Sequence, residues 1–130
     1  MRVNNSTKYA VMAVGYIAKN QDKGAIKTLP IAKDYDMIVD YLQKALQDLV
    51  KAGIVRSKRG PDGGYSLAMP LNKITMLDVI EAIEGTMTVS IALEEHSKAD
   101  RFLSKATKAY DNAIAQARRA FKDVKIRELI

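Results

Sequence analysis

The stretch YLQKALQDLVKAGIVRSKRGPDGGYSLAMP, residues 41–70, decides the fold of this 130-residue chain. Its first part predicts a helix, because apolar residues recur at helical spacing until Gly53 supplies a stop. Two short segments of strand character, IVRSK and YSLAM, then flank a loop rich in Gly and Pro, which predicts a β-hairpin. The apolar stripe of the helix comprises Ile38, Leu42, Ala45, Leu46 and Leu49.

A short helix comes before this stretch, with Thr28 as its expected cap and Pro30 in its first turn. Only DYDM, residues 34–37, separates the two helices. A short helix, a tight turn and a longer helix with a polar outer side are typical of a helix-turn-helix, and the hairpin after it is a wing. The first helix is expected to be capped by Ser6 or Thr7, and its Gly15 to permit close contact with another helix.

The rest of the chain predicts two more helices. Thr75 and Asp78 form a capping box for a helix at Met76–Glu84, and Ser97 and Asp100 repeat that spacing before the longest helix. This last helix carries a heptad pattern that predicts packing on a partner, although folding back on its own domain explains the pattern equally well. The pattern consists of Ala99, Leu103, Ala106, Tyr110, Ala113, Ala117, Ala120 and Val124, widened by Phe102, Ala109, Ile114 and Phe121.

Composition excludes several classes of function. The chain is 48% hydrophobic and has no cysteine and one histidine, His96, so disulfides, thiolate metal sites and the common catalytic dyads are unavailable. We therefore expect no enzyme. No apolar run is long enough to span a membrane, and Tyr9–Ala18 lacks the cleavage site of a signal peptide. These features predict a cytoplasmic protein of one compact unit.

Charge is concentrated toward the amino terminus. The net charge is +6, and residues 1–70 hold 11 Lys or Arg against six Asp or Glu. This surplus fits a polyanion partner, with a solvated surface as the alternative. Arg56, Lys58 and Arg59 stand where the hairpin tip meets a phosphate backbone or a minor groove.

The segments KYAVMAVGYIA, YLQKALQDLVKAGIVRSKRGPDGGYSLAMP and ITMLDVIEAIEG resemble the Rrf2 family of bacterial transcription regulators. The resemblance implies a mainly α fold with a small β-hairpin. It places a winged helix-turn-helix domain at residues 1–85, a loop at 86–98, and a dimerisation helix with its tail at 99–130. The implied function is a sequence-specific regulator, with repression as the expected mode, that binds a palindromic operator on double-stranded DNA as a homodimer.

The resemblance also implies which residues act. The expected dimer interface comprises Leu103, Ala106, Tyr110, Ala113, Ala117 and Ala120. The expected DNA contacts are Lys8, Thr28, Tyr41, Gln43, Lys44, Gln47, Arg56, Lys58, Arg59, Gly60 and Pro61. Gln pairs well with adenine, Lys with guanine, and an inserted Arg favours a narrow minor groove.

The chain departs from the family where some relatives ligate an iron-sulfur cluster with cysteines. The equivalent stretch, TMTVSIALEEHSKAD, has none, so we expect no such cluster and no cofactor. Mixed carboxylate and imidazole ligands remain as a candidate metal site, with solvated surface as the preferred interpretation. Those candidates are Glu94, Glu95, His96 and Asp100.

Other departures lie near the recognition helix. Gln43 replaces a frequent Glu, Asp36 a turn glycine, and Ile38 a small polar residue. Asp40 is expected to pair with Lys44, or else to accept from cytosine.

Apolar residues elsewhere are interpreted as packing. Tyr65 and Leu67 are expected to contact the core rather than bases. Met69, Met76 and Met87 are expected to pack, with an effector pocket as the alternative.

The sequence leaves the effector open between a small molecule, a metal and a protein. A second hypothesis is therefore a protein-interaction module that is regulated by docking of a partner enzyme.

Overall fold

The computed structural model describes residues 5–87, 91–97 and 99–130, with only the backbone of Glu94. Within these residues five α-helices and one hairpin follow the expected order, which confirms the mainly α fold class. Short 3₁₀ turns connect several of them. The elements are α1 (Asn5–Lys19), α2 (Thr28–Asp34), α3 (Val39–Lys51), β1 (Val55–Lys58), β2 (Gly64–Leu67), α4 (Met76–Glu84) and α5 (Arg101–Asp123).

Helix α1 lies at the centre of the domain and contacts α3, α4 and β2. Ser6 and Thr7 lie inside this helix, so the prediction that either one caps it is wrong. The buried Thr7 hydroxyl instead donates to Glu84 Oε1 at 2.6 Å and joins α1 to α4. Gly15 was also misinterpreted, because a Cβ there would meet nothing within 4 Å. The inner side of α1 comprises Ala10, Ala13, Val14 and Ile17.

Helices α2 and α3 form the helix-turn-helix. Thr28 is the first residue of α2, and Lys27 takes the cap position that was predicted for Thr28. The turn passes through Asp36, whose φ of 52° is a left-handed conformation that Asp tolerates better than most residues. The amide of Met37 donates to the Ala32 carbonyl at 2.8 Å and closes the turn.

Helix α3 buries four of its five predicted stripe residues completely, namely Leu42, Ala45, Leu46 and Leu49. The prediction for Ile38 is wrong. This residue is the N-cap, with φ −77° and ψ 120°, and its side chain is 57% exposed. Because its backbone is extended, Ile38 does not follow the helical period of the stripe. Gly53, at φ 77°, follows the end of the helix as predicted.

The hairpin pairs Val55 with Leu67 and Lys58 with Gly64 in an antiparallel register. The loop between α1 and α2 adds a third segment, because Ile26 and Tyr65 exchange two backbone hydrogen bonds of 2.8 and 2.7 Å. Tyr65 and Leu67 pack against the core, which confirms their interpretation as core contacts. The wing is therefore attached to the domain on the β2 side.

Helix α4 has the predicted capping box of Thr75 and Asp78 and ends before Gly85. The start predicted for α5 is partly wrong. Asp100 is its cap, since its Oδ1 accepts from the Leu103 amide at 3.0 Å, whereas Ser97 lies upstream of the cap. Met69 and Met76 pack against the core, and Met87 is half-buried.

The end of the chain returns to the helix-turn-helix domain. Ile126 is buried in the core, and its amide donates to the Ile74 carbonyl at 3.0 Å. The Met76 amide donates to Val124 at 2.8 Å. Helix α5 is therefore held at its carboxyl end. Among the described helices, none combines the length and apolarity needed to cross a membrane.

Candidate nucleic-acid interface

The outer side of α3 is polar and exposed. Because its four stripe residues are turned inward, the long polar side chains at the intervening positions point outward. Tyr41 lies at the flank of this surface and is 52% exposed. We call this surface the α3 outer face; it consists of Asp40, Gln43, Lys44, Gln47 and Lys51, all exposed.

The start of α3 is held by a residue that the sequence did not single out for function. The Ile38 amide donates to the Tyr9 hydroxyl at 3.0 Å, and the rings of Tyr9 and Tyr41 lie 6.2 Å apart at 59°. Tyr9 lies on α1 and is half-buried. The hydroxyl of a half-buried tyrosine usually has a hydrogen-bond partner. A tyrosine among the apolar residues of a helix was therefore the signal in the sequence that could have indicated this contact.

A second cluster of aromatic rings holds α2 against α1. Tyr16 donates to Asp34 Oδ2 at 2.6 Å, and this bond raises the pKa of Tyr16. The rings of Tyr16 and Tyr35 are 5.4 Å apart and edge to face, and Lys19 lies 5.1 Å from the centre of the Tyr35 ring. Tyrosines of α1 thus contact the helix-turn-helix on both sides of its turn. The predicted phosphate contacts lie on these elements, with Lys8 exposed and Thr28 half-buried.

The wing tip is exposed, and its backbone requires glycine. Arg59, Gly60 and Pro61 are all exposed, as their predicted role requires. A Cβ on Gly63 would lie 2.2 Å from the Lys58 carbonyl oxygen, and one on Gly64 would lie 2.6 Å from that of Ile26. These two glycines therefore let the hairpin turn tightly and lie against Ile26.

The structure separates Arg56 and Lys58 from the recognition helix. Side chains alternate between the two faces of a strand. Ser57 shares a cavity of about 240 Å³ with Gln47 and Lys51. Arg56 and Lys58 line a different cavity on the other face of the hairpin, next to the loop between α1 and α2. The sequence had placed all the wing cations together.

The cations of this surface are available for an anionic partner. Within the described residues, the one ion pair joins Arg118 to Glu81, away from α3 and the wing. The expected pair between Asp40 and Lys44 is therefore not formed in this part of the chain.

Helix α5 leaves part of its heptad pattern uncovered. Thr107 is its one buried residue, and Ile114, Arg118 and Phe121 on the same side are half-buried. The heptad residues are centred on a neighbouring side, where Tyr110 is 38% exposed, and the adjacent Phe102 is 73% exposed. Folding back thus accounts for one side of α5 only. The candidate interface residues Ala113 and Ala120 are exposed, and Leu103, Ala106 and Ala117 are half-buried.

The stretch before α5 was also a candidate site. Among the described side chains, no three of the metal-binding types are grouped to hold an ion. Asp100 is used as the cap of α5, and Glu95 and His96 are exposed. Nothing is described of the Glu94 side chain.

Comparison with known proteins identifies the family. The family model described as Rrf2, iron-dependent transcriptional regulator, matches residues 3–129. The chain belongs to the Rrf2 family. It is a helix-turn-helix transcriptional regulator of the Rrf2 type, and its relatives are named as regulators rather than enzymes. The Rrf2 assignment from the sequence is confirmed.

Two curated relatives illustrate the similarity. An HTH-type transcriptional regulator of Aquifex aeolicus is 31% identical over 100% of this chain and 92% of its own length. The regulator BadM of Rhodopseudomonas palustris is 36% identical over 82% of this chain, which spans 65% of that protein.

Solved structures of this fold are similar over almost the whole chain. CymR, the global cysteine regulator of B. subtilis, superposes with a TM-score of 0.80 at 23% identity, over 99% of this chain and 95% of CymR. T. potens IscR has a TM-score of 0.70 at 23% identity, over 99% and 85% of the two chains.

The iron named in the family description does not fit this chain as a thiolate-bound cluster. Such clusters are held by cysteines, and the chain contains none.

Proposed function

We propose that this Rrf2 protein binds double-stranded DNA in a sequence-specific way, as a homodimer on a palindromic operator, and represses the adjacent gene in the cytoplasm. One observation carries the proposal. The same domain presents a polar, exposed α3 outer face and an exposed cationic wing tip, and no carboxylate among the described residues pairs with these cations.

The α3 outer face would lie in the major groove. Gln43 and Gln47 offer an amide that pairs with the N6 and N7 edge of adenine, and Lys44 donates to guanine. The contacts of α3 with Tyr9 support this role, because base readout needs a helix whose start is fixed.

The wing tip would enter the minor groove, with Arg59 as the inserted cation and Gly60 and Pro61 allowing close approach. Arg56 and Lys58, on the opposite hairpin face from Gln47, would contact phosphate only. Lys8 and Thr28 would contact phosphate at the starts of α1 and α2.

A second copy is the proposed cover of the α5 heptad side. Alanines at Ala106, Ala113, Ala117 and Ala120 allow two helices to approach closely, and Phe102 and Tyr110 provide the larger contacts. A two-fold dimer would place two recognition helices about 34 Å apart, one turn of DNA.

Binding to a duplex selected from random sequences tests DNA recognition. Arg59→Ala should weaken affinity by about 1–3 kcal/mol, and log affinity should fall linearly with log salt. Lys105→Ala on α5 is the matched control, because it removes an exposed cation far from the wing. Equal affinities of the two variants would refute the role of the wing.

Sedimentation measurements test the homodimer. Ala117→Glu places a charge on the heptad side and should give a monomer at micromolar concentration. Asn112→Glu, exposed on another side of α5, should remain dimeric. A monomeric parent protein would reject the proposed assembly. Repression is tested by a reporter gene behind the selected operator, whose expression should fall when this protein is produced.

A further inference from the structure

A groove of about 730 Å³ lies between α4 and α5, on a part of the molecule that the proposed function does not use. Four cations and two carboxylates line it, together with apolar and small side chains. The cations are Lys73, Arg118, Arg119 and Lys122, and the carboxylates are Asp78 and Glu81.

Both carboxylates are already engaged within the protein. Asp78 Oδ2 accepts from the Thr75 amide at 3.0 Å as part of the capping box. Glu81 accepts from Arg118 at 3.2 Å and from the Met87 amide at 2.8 Å. Three cations of the groove, Lys73, Arg119 and Lys122, are exposed and make no ion pair within the described residues. The groove therefore keeps a surplus of positive charge.

The groove is separated from the DNA-binding surface. On α4, Glu81 lies roughly opposite Val79 and Ile83, which pack against the core that α1 and α3 share. Helix α4 thus stands between the groove and the recognition helix.

The groove also lies away from the proposed dimer contact. Successive residues of a helix are rotated by about 100°. Arg119 and Lys122 therefore lie roughly opposite Ala113 and Ala117 of the heptad side. Neither DNA on α3 nor a second copy on the heptad side would cover the groove.

We propose that the α4–α5 groove binds a small polyanion, such as a phosphorylated or polycarboxylate metabolite. Arginine forks bind phosphate or carboxylate oxygens in pairs, and lysines act as mobile point charges, so this lining suits an anion with two or more charges. The anion would contact Arg118, which pairs with Glu81. This is the one ion pair between α4 and α5 among the described residues. Glu81 also accepts from the Met87 amide, so the site is connected to the backbone that follows α4.

Calorimetric titration of the full chain without DNA tests this site, with pyrophosphate and citrate as probes. The double variant Arg119→Gln with Lys122→Gln should weaken binding of at least one probe by about tenfold or more, because each charge-assisted contact contributes over 1 kcal/mol. Lys105→Gln with Lys108→Gln is the control pair. It removes the same charge from exposed positions of the same helix outside the groove, and should change affinity less than about twofold.

Preference for one probe identifies the ligand as phosphate or carboxylate. Absence of saturable binding to both probes would overturn the proposal, and so would equal losses in the two variant pairs, since that pattern indicates diffuse charge. Because no DNA is present in the titration, its failure leaves the proposed DNA binding untouched.

Discussion

Helices α3 and α5 are both amphipathic, but only α3 has its apolar side covered by its own chain. The four stripe residues within α3 are fully buried, whereas α5, with 23 residues, buries only Thr107. The same periodicity therefore has two outcomes. An apolar stripe indicates that one side of a helix packs against another surface. Burial of that stripe within the monomer shows whether this surface belongs to the same chain.

Leu46→Ala should give the largest loss of stability, because it removes a completely buried side chain from the covered helix. We expect the free energy of unfolding to fall by about 2–5 kcal/mol. Urea unfolding measures this change, and the loss should be independent of protein concentration. Leu103→Ala on α5, which is half-buried, is the matched control and should lose less. Equal losses would mean that the two helices do not differ.

Phe102→Ala tests the open helix. Its ring is 73% exposed within one chain, so in a monomer its removal should change stability by less than about 0.5 kcal/mol. In a dimer that buries the ring, the loss of stability should be larger. Its upper limit is the loss of about 3–5 kcal/mol for a fully buried phenylalanine. Thermal unfolding at two protein concentrations a hundredfold apart checks this, since only dimer stability depends on concentration. A loss of stability that is the same at both concentrations would reject the contact.

The sequence predicted those features of the fold that depend on local pattern. Each of these features involves residues that lie close together in the sequence. They are the α3 stripe, the hairpin with its glycine-rich tip, and the capping box of Thr75 and Asp78. Some errors are local, since the caps of α2 and α5 lie one and three residues from Thr28 and Ser97, where they were predicted. Another error concerns a residue whose partner is far along the chain. Thr7 bonds to Glu84 of α4, and this tertiary contact replaced its expected capping role.

The candidate interface was predictable in composition but not in arrangement. Exposure of Gln43, Gln47 and Arg59 follows from helical and hairpin periodicity. The separation of Arg56 from Gln47 depends on how the hairpin packs against α3, and the support of Ile38 by Tyr9 depends on how α1 crosses α3. Such relations between elements are set by side-chain packing, which a linear pattern does not contain.

Tyr9→Phe tests whether the contact between α1 and the start of α3 positions the recognition helix. The variant removes the acceptor for the Ile38 amide and keeps the ring against Tyr41. We expect a loss of about 0.5–1.5 kcal/mol in unfolding free energy, together with weaker binding to the selected operator. Tyr110→Phe on the open helix is the control. Unchanged operator affinity in Tyr9→Phe would show that this hydrogen bond does not position the recognition helix.

Gly15→Ala should give the smallest change, and a gain rather than a loss. A Cβ at this position of α1 meets nothing within 4 Å, and alanine is favoured over glycine in a helix by about 0.5–1 kcal/mol. Urea unfolding should therefore show a more stable protein with an unchanged dimer. A loss of stability that grows with protein concentration would mean that a second copy contacts α1 at Gly15. The open surface would then extend beyond α5, and the contrast between the two helices would have to include α1.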